Sequence, residues 1–563
     1  MQEETMKFNE YPYHRIDFNL LFRQADEVIA RMCEASDFSA FRLAVSEFNR
    51  ILKQVHSMAT IASIRNSIDT TDAYYEAEQH YYDERMPEFE ERIIRYFKAF
   101  LNSPYKREIT ETWGGYILDR AEAACASFCP EAIELMKQEN LLTSEYQKLL
   151  ASAKISFHNE THNLSSLMKY FQHEDRTLRK GAFEALSDFL KEKENEFDSL
   201  YDRLVKIRTE IAKKAGYDNY ISFGYNKLTR TDYSQSDVER FRNQVETYLV
   251  PICSRIRAEQ AARIGIDTLK FYDQQFLFVD GNAVPVGDEA QLVRFAQQMY
   301  GDMSNETNEF FTFMTDHELM DLSAKPGKAP GGYCTYIADE ESPFIFSNFN
   351  GTSGDVDVLT HEAGHALQAY LSRDYELYHY LEPTYEACEI HSMSMEYFAH
   401  PYMKLFFGEA EKKYRFAHLS EALTFIPYAA CVDQFQHEVY ANPNLTPAQR
   451  KQIWRTLEKK YLPHIDYDGN DEMEKGVYWY RQLHIFMLPF YYIDYALASV
   501  HALEFYQRMQ ADRGDAWTDY LELCRLGGSV SYLELLKRGH LRNPFESGTL
   551  QKIIDPLQKE LQY

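Results

Sequence analysis

Two histidines four residues apart, with a glutamate directly after the first, are the residues in this sequence best suited to do chemistry. His361, Glu362 and His365 form the pattern His-Glu-x-x-His within the segment Gly354–Tyr370. On a helix, side chains four apart project from one face, so both imidazoles can bind one metal ion. Glu362 lies about 100° round that helix and can reach a water on the ion. The pattern is typical of two histidine ligands with a glutamate general base.

A glycine at position 364 lies inside the same predicted helix. Glycine in a helix interior costs about 1 kcal/mol relative to alanine. We therefore expect another segment to approach Gly364 closely. Ser353 or Asp355 is expected to cap the first turn of this helix.

A third metal ligand is required, because a catalytic zinc takes three protein ligands and keeps one open position. Downstream, Glu386, Glu389 and Glu396 are spaced by three and seven residues and line one face of a second predicted helix. Acidic side chains on one face repel each other unless a cation or hydrogen-bond donors neutralise them. We interpret the stripe as facing the metal, with a solvated surface as the alternative. Glu396 could instead orient a ligand imidazole from behind.

A cluster of aromatic and imidazole side chains lies near the C-terminus. His484, Tyr491 and Tyr495 are spaced by seven and four residues, so they share a face if the chain is helical on both sides of Pro489. An aromatic core stripe is one interpretation. The other is a set of neutral donors aimed at an oxyanion.

Two further patterns resemble the metal-binding one without its geometry. His158 and His162 are also four apart, but Glu160 between them would lie on the far side of a helix. We predict surface or capping histidines there. His317 begins a second pattern that has Asp321 in place of the second histidine, and we interpret it as structural.

Long helices must position these residues, since helical periodicity dominates the chain. Tyr75, Tyr82, Phe89 and Tyr96 recur every seven residues and predict one stripe of a long helix. Pro87 lies within it and is expected to kink or divide the helix.

A second long helix is predicted from Phe183 to Lys214, ending before Gly216 as helices commonly do. Its predicted inward-facing residues are Leu186, Phe189, Leu190, Phe197, Leu200, Leu204 and Ile211. Strand patterns are few, and the clearest is the aromatic segment Pro343–Phe349. The fold is therefore predicted to be mainly α.

Composition limits the classes of function. The chain has 563 residues and a formal net charge of −27, which argues against nucleic-acid binding and against docking on anionic membranes. Its eight cysteines include no Cys-x-x-Cys pair, so we expect reduced thiols. The first residues lack a signal-peptide pattern, and the most apolar stretch, Ile485–Ile493, is too short to span a bilayer. A cytoplasmic setting is expected, and the oligomeric state is left open.

Taken together, these segments resemble the thimet-oligopeptidase family of zinc metallopeptidases, most closely its oligoendopeptidase F branch. The resemblance covers essentially the whole chain. It rests on Pro330-Gly-Gly-Tyr333, Pro343–Thr352, Asp355 followed by His361-Glu-Ala-Gly-His365, Glu389 at 28 residues past the first histidine, the His484/Tyr491/Tyr495 block, and Gly527–Leu536.

The resemblance implies one zinc ion per chain, held by His361, His365 and Glu389, with Glu362 as the general base. It also implies a mainly α, two-lobed fold that encloses a deep substrate channel, with a small sheet beside the metal helix. We divide the chain into an N-terminal helical domain over residues 1–200 and a catalytic domain over residues 201–563.

On the substrate side, the resemblance implies that His484 and one or more tyrosines contact the scissile carbonyl or the neighbouring peptide. The candidates are Tyr491, Tyr492 and Tyr495, and Tyr495 is the first choice for the oxyanion.

Four further residues are expected to bind substrate: Gly331, Gly332, Tyr333 and Phe346. The two glycines would let backbone approach closely or let a loop move. The strand around Phe344–Phe349 is expected to pair with the peptide backbone as an edge strand.

The function predicted in this way is zinc-dependent hydrolysis of internal bonds in short peptides, with no nucleic-acid or membrane partner. A helical zinc carboxypeptidase is one alternative, and it would need a positive group to hold the terminal carboxylate. A non-catalytic acidic helical protein that binds peptides is the other.

Overall fold

The computed structural model describes residues 6–561, and within them helices predominate over five short strands, as predicted. The first helices are α1 (Phe18–Cys33), α2 (Phe38–Ile68), α3 (Ala73–Asn102), α4 (Lys106–Trp113), α5 (Tyr116–Ala126) and α6 (Ile133–Ala151). There follow β1 (Ile155–Phe157), β2 (Glu160–His162), α7 (Leu164–Met168), α8 (Arg176–Lys214), α9 (Tyr220–Lys227), α10 (Gln235–Gln244), α11 (Val250–Arg263), α12 (Glu289–Met303) and α13 (Asn305–Asp316).

The second half begins with a small sheet and continues as helices to the end of the described chain. Its elements are β3 (Met320–Ser323), β4 (Tyr333–Ile337), β5 (Ser342–Phe349), α14 (Gly354–Ser372), α15 (Tyr385–Phe398), α16 (Met403–Phe407), α17 (Glu411–Ala441), α18 (Pro447–Tyr461), α19 (Asp471–Glu474), α20 (Leu483–Met487), α21 (Tyr492–Ala511), α22 (Arg513–Leu526), α23 (Tyr532–Arg538) and α24 (Thr549–Ile554).

Helix α3 runs through Pro87 without a break, so the expected division is wrong. Proline removes the hydrogen bond that its N–H would donate to the carbonyl four residues earlier. That carbonyl belongs to Asp83, and the side-chain amide of Asn140 lies 3.5 Å from it. A contact from the neighbouring helix α6 thus takes the place of the missing bond.

Helix α8 ends at Lys214 before Gly216, as predicted, and all seven predicted inward residues are buried. It begins at Arg176, earlier than expected, because the Asp175 carboxylate accepts a hydrogen bond from the amide of Thr177. Residue 200 lies in the middle of this continuous helix. A domain boundary there would cut one element in two, and its position stays a prediction.

The small sheet has the strand order β3-β5-β4. Strand β5 pairs in parallel with β3 and antiparallel with β4. It is therefore the central strand, and the expectation that residues 344–349 form an edge is wrong. Helix α14 follows β5 directly and packs against both β4 and β5.

Helices α14 and α15 pack side by side at the position of Gly364. A β-carbon built on Gly364 would lie 2.6 Å from the α-carbon of Ser392 and 2.7 Å from the carbonyl oxygen of His391. The glycine is therefore required by the contact with α15, as the sequence predicted. Helix α21 packs against α15 in turn, and one hydrophobic core joins these helices to the N-terminal ones. Within residues 6–561, no helix has both the length and the apolar composition that crossing a membrane requires.

Candidate metal centre

Helices α14 and α15 bring three metal-binding side chains together. The imidazole rings of His361 and His365 have centroids 5.0 Å apart. Nε2 of His361 lies 3.2 Å, and Nε2 of His365 3.5 Å, from Oε2 of Glu389. All three ligand atoms lie within 4.8 Å of one another. Two imidazole nitrogens and one carboxylate oxygen, converging with a side left open, are a donor set that fits a catalytic zinc ion.

A chain of hydrogen bonds fixes His361 from behind. Its Nδ1 lies 2.6 Å from Oε1 of Glu396, and the other oxygen of Glu396 lies 2.6 Å from Nε2 of His418. Nδ1 of His418 in turn lies 3.0 Å from Nε2 of His400. This network directs Nε2 of His361 toward the other ligands and holds its ring orientation.

The charges at this centre suit a cation. Burial works against the charged form of Glu389, but the two imidazoles outweigh burial and hold the pKa of its carboxyl well below the usual range. Burial likewise opposes a charged His361, yet hydrogen bonds to Glu389 and Glu396 raise its pKa well above the ordinary value. The same negative charge that retains a proton on His361 favours a divalent cation in its place.

The glutamate stripe of α15 divides into three different environments. Glu389 faces the histidines, and Glu396 contacts the far side of His361, as the sequence analysis allowed. Glu386 is buried elsewhere, where Arg230 is the charge acting most strongly on it. The interpretation of the whole stripe as metal-facing is therefore wrong for Glu386, because α15 is contacted on more than one side.

Glu362 is nearly buried, with 6% of its surface exposed, beside the histidine pair. Its Oε2 has no hydrogen-bond partner among residues 6–561, and its Oε1 lies close to Gly332 at the start of β4. Burial raises the pKa of this carboxyl, and the positive fields of His361 and His365 offset part of that rise. A carboxylate with a free oxygen and a raised pKa suits proton transfer.

The start of α14 is held by a carboxylate. Asp355 accepts hydrogen bonds from the amides of Asn350 and Gly351, at 2.9 and 2.8 Å. It thus fixes the turn that leads into the helix. Ser353 forms no side-chain capping bond.

The opposite side of the centre is formed by a break between α20 and α21, where the predicted helical continuity fails. Phe490 has a φ of 69°, a left-handed conformation that ends helical geometry before Tyr491. The reversal nevertheless brings rings together: the centroid of His484 lies 5.4 Å from that of Tyr491 and 5.5 Å from that of Tyr495. Proximity here comes from the turn and not from a shared helix face.

The tyrosines on this side have different partners. The hydroxyl of Tyr491 donates to Oε1 of Glu389, so it supports a candidate ligand. The hydroxyl of Tyr495 lies 3.5 Å from Nε2 of His484. Tyr492 packs between Phe425 and His484. Of the three tyrosines, Tyr495 is the one whose hydroxyl lies nearest the imidazole Nε2 of His484, and its role toward an oxyanion stays a prediction.

His484 is held in one tautomer. The side-chain amide of Gln482 donates to its Nδ1 over 3.0 Å, and the carbonyl oxygen of that amide accepts from Tyr428 over 2.9 Å. Nδ1 is therefore the acceptor and Nε2 carries the hydrogen. Burial lowers the pKa of His484 to about 4, so the ring is a neutral donor near neutral pH.

Two buried arginines hold the backbone of this break. Nη2 of Arg208 lies 2.5 Å from the carbonyl oxygen of Phe486, and Nη2 of Arg230 lies 2.7 Å from that of Phe490. Gln436 accepts from the amide of Phe490 over 3.1 Å. The strained residue therefore has both backbone groups bonded to side chains from distant segments.

Each arginine also forms a buried ion pair. Arg208 lies 2.6 Å from Glu139, and Arg230 lies 2.6 Å from Asp494. Neither arginine was identified from the sequence, because their partners are 69 and 264 residues away and no local pattern marks them.

The expected substrate-binding residues lie around β4. Gly331, with a φ of 97°, and Gly332 are exposed, and Tyr333 is partly exposed. The side chain of Phe346 is fully buried and stacks on the ring of Tyr333, with centroids 4.8 Å apart. Phe346 thus lies behind Tyr333, and the expectation that it contacts substrate is corrected because its strand is central and its ring is covered. The edge strands of this sheet are β3 and β4, and β4 is the one that follows the two exposed glycines.

Comparisons with known proteins agree along most of the chain. The model of Peptidase family M3 matches residues 169–554, and that of the Peptidase M3 N-terminal domain matches residues 8–128. The chain is 20% identical over 554 residues to the Oligoendopeptidase F homolog of Borreliella burgdorferi, covering 95% of this chain and 89% of that protein. It is 21% identical over 456 residues to Oligopeptidase PepF of Bacillus subtilis, covering 75% and 66%.

Solved structures show the same architecture. A structure of PZ peptidase A with an inhibitor superimposes with a TM-score of 0.97 at 48% identity, covering 99% of both chains. The oligoendopeptidase-F of Enterococcus faecium, at 16% identity and a TM-score of 0.61, shares the fold over 97% of both chains.

Proposed function

Because this chain belongs to peptidase family M3, and is therefore a peptide-hydrolysing metallopeptidase, we propose that it cleaves internal bonds of short peptides with one zinc ion. The observation that carries the proposal is the convergence of His361, His365 and Glu389 beside the free carboxylate oxygen of Glu362. His361, Glu362 and His365 are neighbours on α14, and the packing of α15 adds Glu389 from 28 residues after the first histidine.

His361, His365 and Glu389 would hold the ion. When bound there, it supplies a Lewis acid that polarises the scissile carbonyl and lowers the pKa of a water toward about 7. Glu396 holds the ring of His361, and Tyr491 holds the carboxylate of Glu389, so two ligands are fixed before any substrate arrives.

Glu362 serves as the general base. Its free Oε2 accepts a proton from the attacking water and passes it to the leaving amine. Burial favours this exchange because the protonated and ionised forms of Glu362 are then closer in free energy than in water. No serine or cysteine nucleophile is needed.

His484 and Tyr495 stabilise the charge that develops on the carbonyl oxygen. Nε2 of His484 carries a hydrogen, and the hydroxyl of Tyr495 lies 3.5 Å from it, so two neutral donors face one small region. Donors fixed in advance of the reaction lower its barrier because they need little reorganisation.

We assign the outer edge of strand β4 to binding of the peptide backbone. Strand β4 pairs on one side only, follows two exposed glycines, and has Gly332 close to Glu362. An extended peptide can add to such an edge as a further strand. Tyr333, backed by Phe346, forms its first side-chain contact.

The test is a digest of a mixed peptide library that includes peptides blocked at both ends, analysed by mass spectrometry with and without chelator. We expect internal cleavage of the blocked peptides, its loss with chelator, and recovery with zinc. Metal analysis of the purified protein should give one zinc per chain. Persistent cleavage in chelator, or manganese or cobalt as the bound ion, would contradict the zinc assignment.

The same digest separates the two alternatives. A zinc carboxypeptidase would remove residues from free C-termini and leave blocked peptides intact. A non-catalytic peptide-binding protein would cleave neither. The two lobes, the channel, the domain division and the cytoplasmic setting stay predictions, and the eight free cysteines are compatible with the last.

A further inference from the structure

Arg481 is a cation without a carboxylate partner among residues 6–561, in the segment that leads to His484. It ends the 3₁₀ helix Tyr478–Arg481, three residues before His484. Its guanidinium lies over the ring of Tyr478, 4.6 Å from the centroid. The groups that act most on its charge are tyrosines, including Tyr428 and Tyr492, and no aspartate or glutamate among residues 6–561 forms a salt bridge with it.

Several of the most deeply buried arginines of this protein are paired with carboxylates. Four nearly buried ion pairs illustrate this: Arg179 with Asp273, Arg208 with Glu139, Arg230 with Asp494, and Arg242 with Asp433. Buried charges are normally paired because an isolated charge in low dielectric is costly. Arg481 is partly buried, lies beside the ring of Tyr478 and forms no salt bridge with a carboxylate among residues 6–561.

Tyr492 connects Arg481 with the donors. Its hydroxyl is within the electrostatic reach of Arg481, and its ring lies 4.8 Å from that of His484 and 5.9 Å from that of Tyr428. Along α17, the residues that keep some exposure include Glu421, Phe425 and Tyr428, which recur at one helical face. Phe425 and Tyr428 both contact the ring of Tyr492, so this face of α17 packs beside the same tyrosine.

Resting on the proposed function, we infer that Arg481 binds a carboxylate of the peptide substrate, either its C-terminal carboxylate or an aspartate or glutamate side chain. A guanidinium offers parallel N–H donors that match both oxygens of a carboxylate, and stacking on Tyr478 holds its plane. The chain as a whole carries a net charge of −27 and repels anionic peptides, so a local cation decides whether such a group is accepted.

Two peptide pairs around one scissile sequence test this inference. The first pair differs only in a free or amidated C-terminus. The second pair is amidated and differs only in glutamate or glutamine at one position after the scissile bond, with that position varied. We expect kcat/KM to favour the carboxylate member of one pair by about 10- to 100-fold. The pair that shows the preference identifies the source of the carboxylate.

In Arg481→Met, kcat/KM for the preferred peptide should fall to the value for its neutral partner. The value for the neutral partner should stay nearly unchanged. Arg481→Lys should retain part of the preference, because it keeps the charge but loses the paired donors. Arg513→Met is the matched control, since Arg513 also stacks on a tyrosine, Tyr402, and forms no salt bridge within the described chain. It should behave like the wild type.

Equal rates within both pairs for the wild type, or a preference that survives in Arg481→Met, would overturn the inference. Calorimetry with two pairs of short product peptides, one pair differing in a free or amidated C-terminus and the other in glutamate or glutamine, gives a second readout that needs no turnover. Affinity should favour the carboxylate member of one pair, and only when Arg481 is present. If no peptide is cleaved but the difference in affinity persists, the proposed reaction is contradicted and the carboxylate site is supported. Equal affinities within both pairs would contradict the carboxylate site.

Discussion

The two sides of the metal centre are built by different means. On one side, α14 and α15 are unbroken helices whose side chains support each other directly, as Glu396 supports His361. On the other, His484 and Tyr495 lie on either side of a break whose backbone is held by side chains from distant segments. The first side derives its geometry from regular secondary structure, and the second derives it from tertiary contacts.

The difference teaches where precision comes from in this protein. A helix fixes the spacing of its residues with its own hydrogen bonds, so His361 and His365 need only a partner helix. A left-handed residue such as Phe490 costs about 1–3 kcal/mol and persists only where its surroundings over-determine it. Arg230 donates to the carbonyl oxygen of Phe490, and Gln436 accepts from its amide, so both hold this residue in the left-handed conformation.

The largest expected effect is on the helical side. Glu362→Gln removes the general base while keeping the shape of the side chain, so kcat/KM should fall about 10²- to 10⁴-fold. Zinc content should stay at the wild-type value, because Glu362 is not one of the three proposed ligands. Unchanged turnover would remove Glu362 from the mechanism.

The next effect is on the broken side. Tyr495→Phe removes one hydroxyl donor, and kcat should fall about 10²- to 10³-fold with little change in KM. Steady-state kinetics on one peptide would measure it. Tyr491→Phe is the comparison, since its hydroxyl is bonded to Glu389 and its loss should weaken metal binding instead. The reverse pattern would exchange the roles of the two tyrosines.

The contribution of His484 to kcat should not change with pH near neutrality. His484 has a pKa lowered to about 4 by burial, so it becomes charged only as pH falls through that value. The neutral donor is therefore fully present from about pH 5 to 9. His484→Gln should lower kcat without moving either limb of the pH–rate profile in that range, and a shifted limb would show that His484 titrates during catalysis.

A smaller effect is expected from the residue that orients a proposed metal ligand. Glu396→Gln weakens the hydrogen bond that orients His361, and zinc affinity should fall about 10- to 100-fold in a competition with a chelator. Addition of excess zinc should restore most of the activity. Activity that stays low at saturating zinc would mean that Glu396 acts beyond ligand orientation.

The smallest predicted change is a loss of stability. Gln436→Met keeps the volume of the side chain but leaves the amide of Phe490 without its acceptor, so unfolding free energy should fall by about 1–3 kcal/mol. Denaturant unfolding would measure it. Zinc affinity should fall less than in Tyr491→Phe, because the turn reaches the proposed ligands only through the Tyr491 hydroxyl. An equal fall in the two variants would contradict this ranking.

Sequence reasoning was most successful where geometry is local. The spacing of His361 and His365 and the close approach at Gly364 follow from helix periodicity, and the structure brings Glu389 to them. The expectation for His158 and His162 was right for one of the two. His158 is exposed in the turn between β1 and β2, but His162 is buried at the end of β2. Spacing predicts proximity only when the type of element is right.

Features that depend on tertiary contacts were not visible in the sequence. The central position of β5 follows from the pairing of β3, which no pattern around Phe346 reveals. His418 lies in α17 without a recognisable motif and is identified only by its bond to Glu396. The tyrosines near His484 were found, but their separate partners depend on the turn at Phe490.

One hydrogen bond, from the Tyr491 hydroxyl to Glu389, spans the two sides. A peptide that displaces this hydroxyl on binding weakens the support of Glu389 and lowers zinc affinity. Zinc must then lower peptide affinity by the same factor. At low zinc concentration the protein would therefore hold such a peptide more tightly without cleaving it.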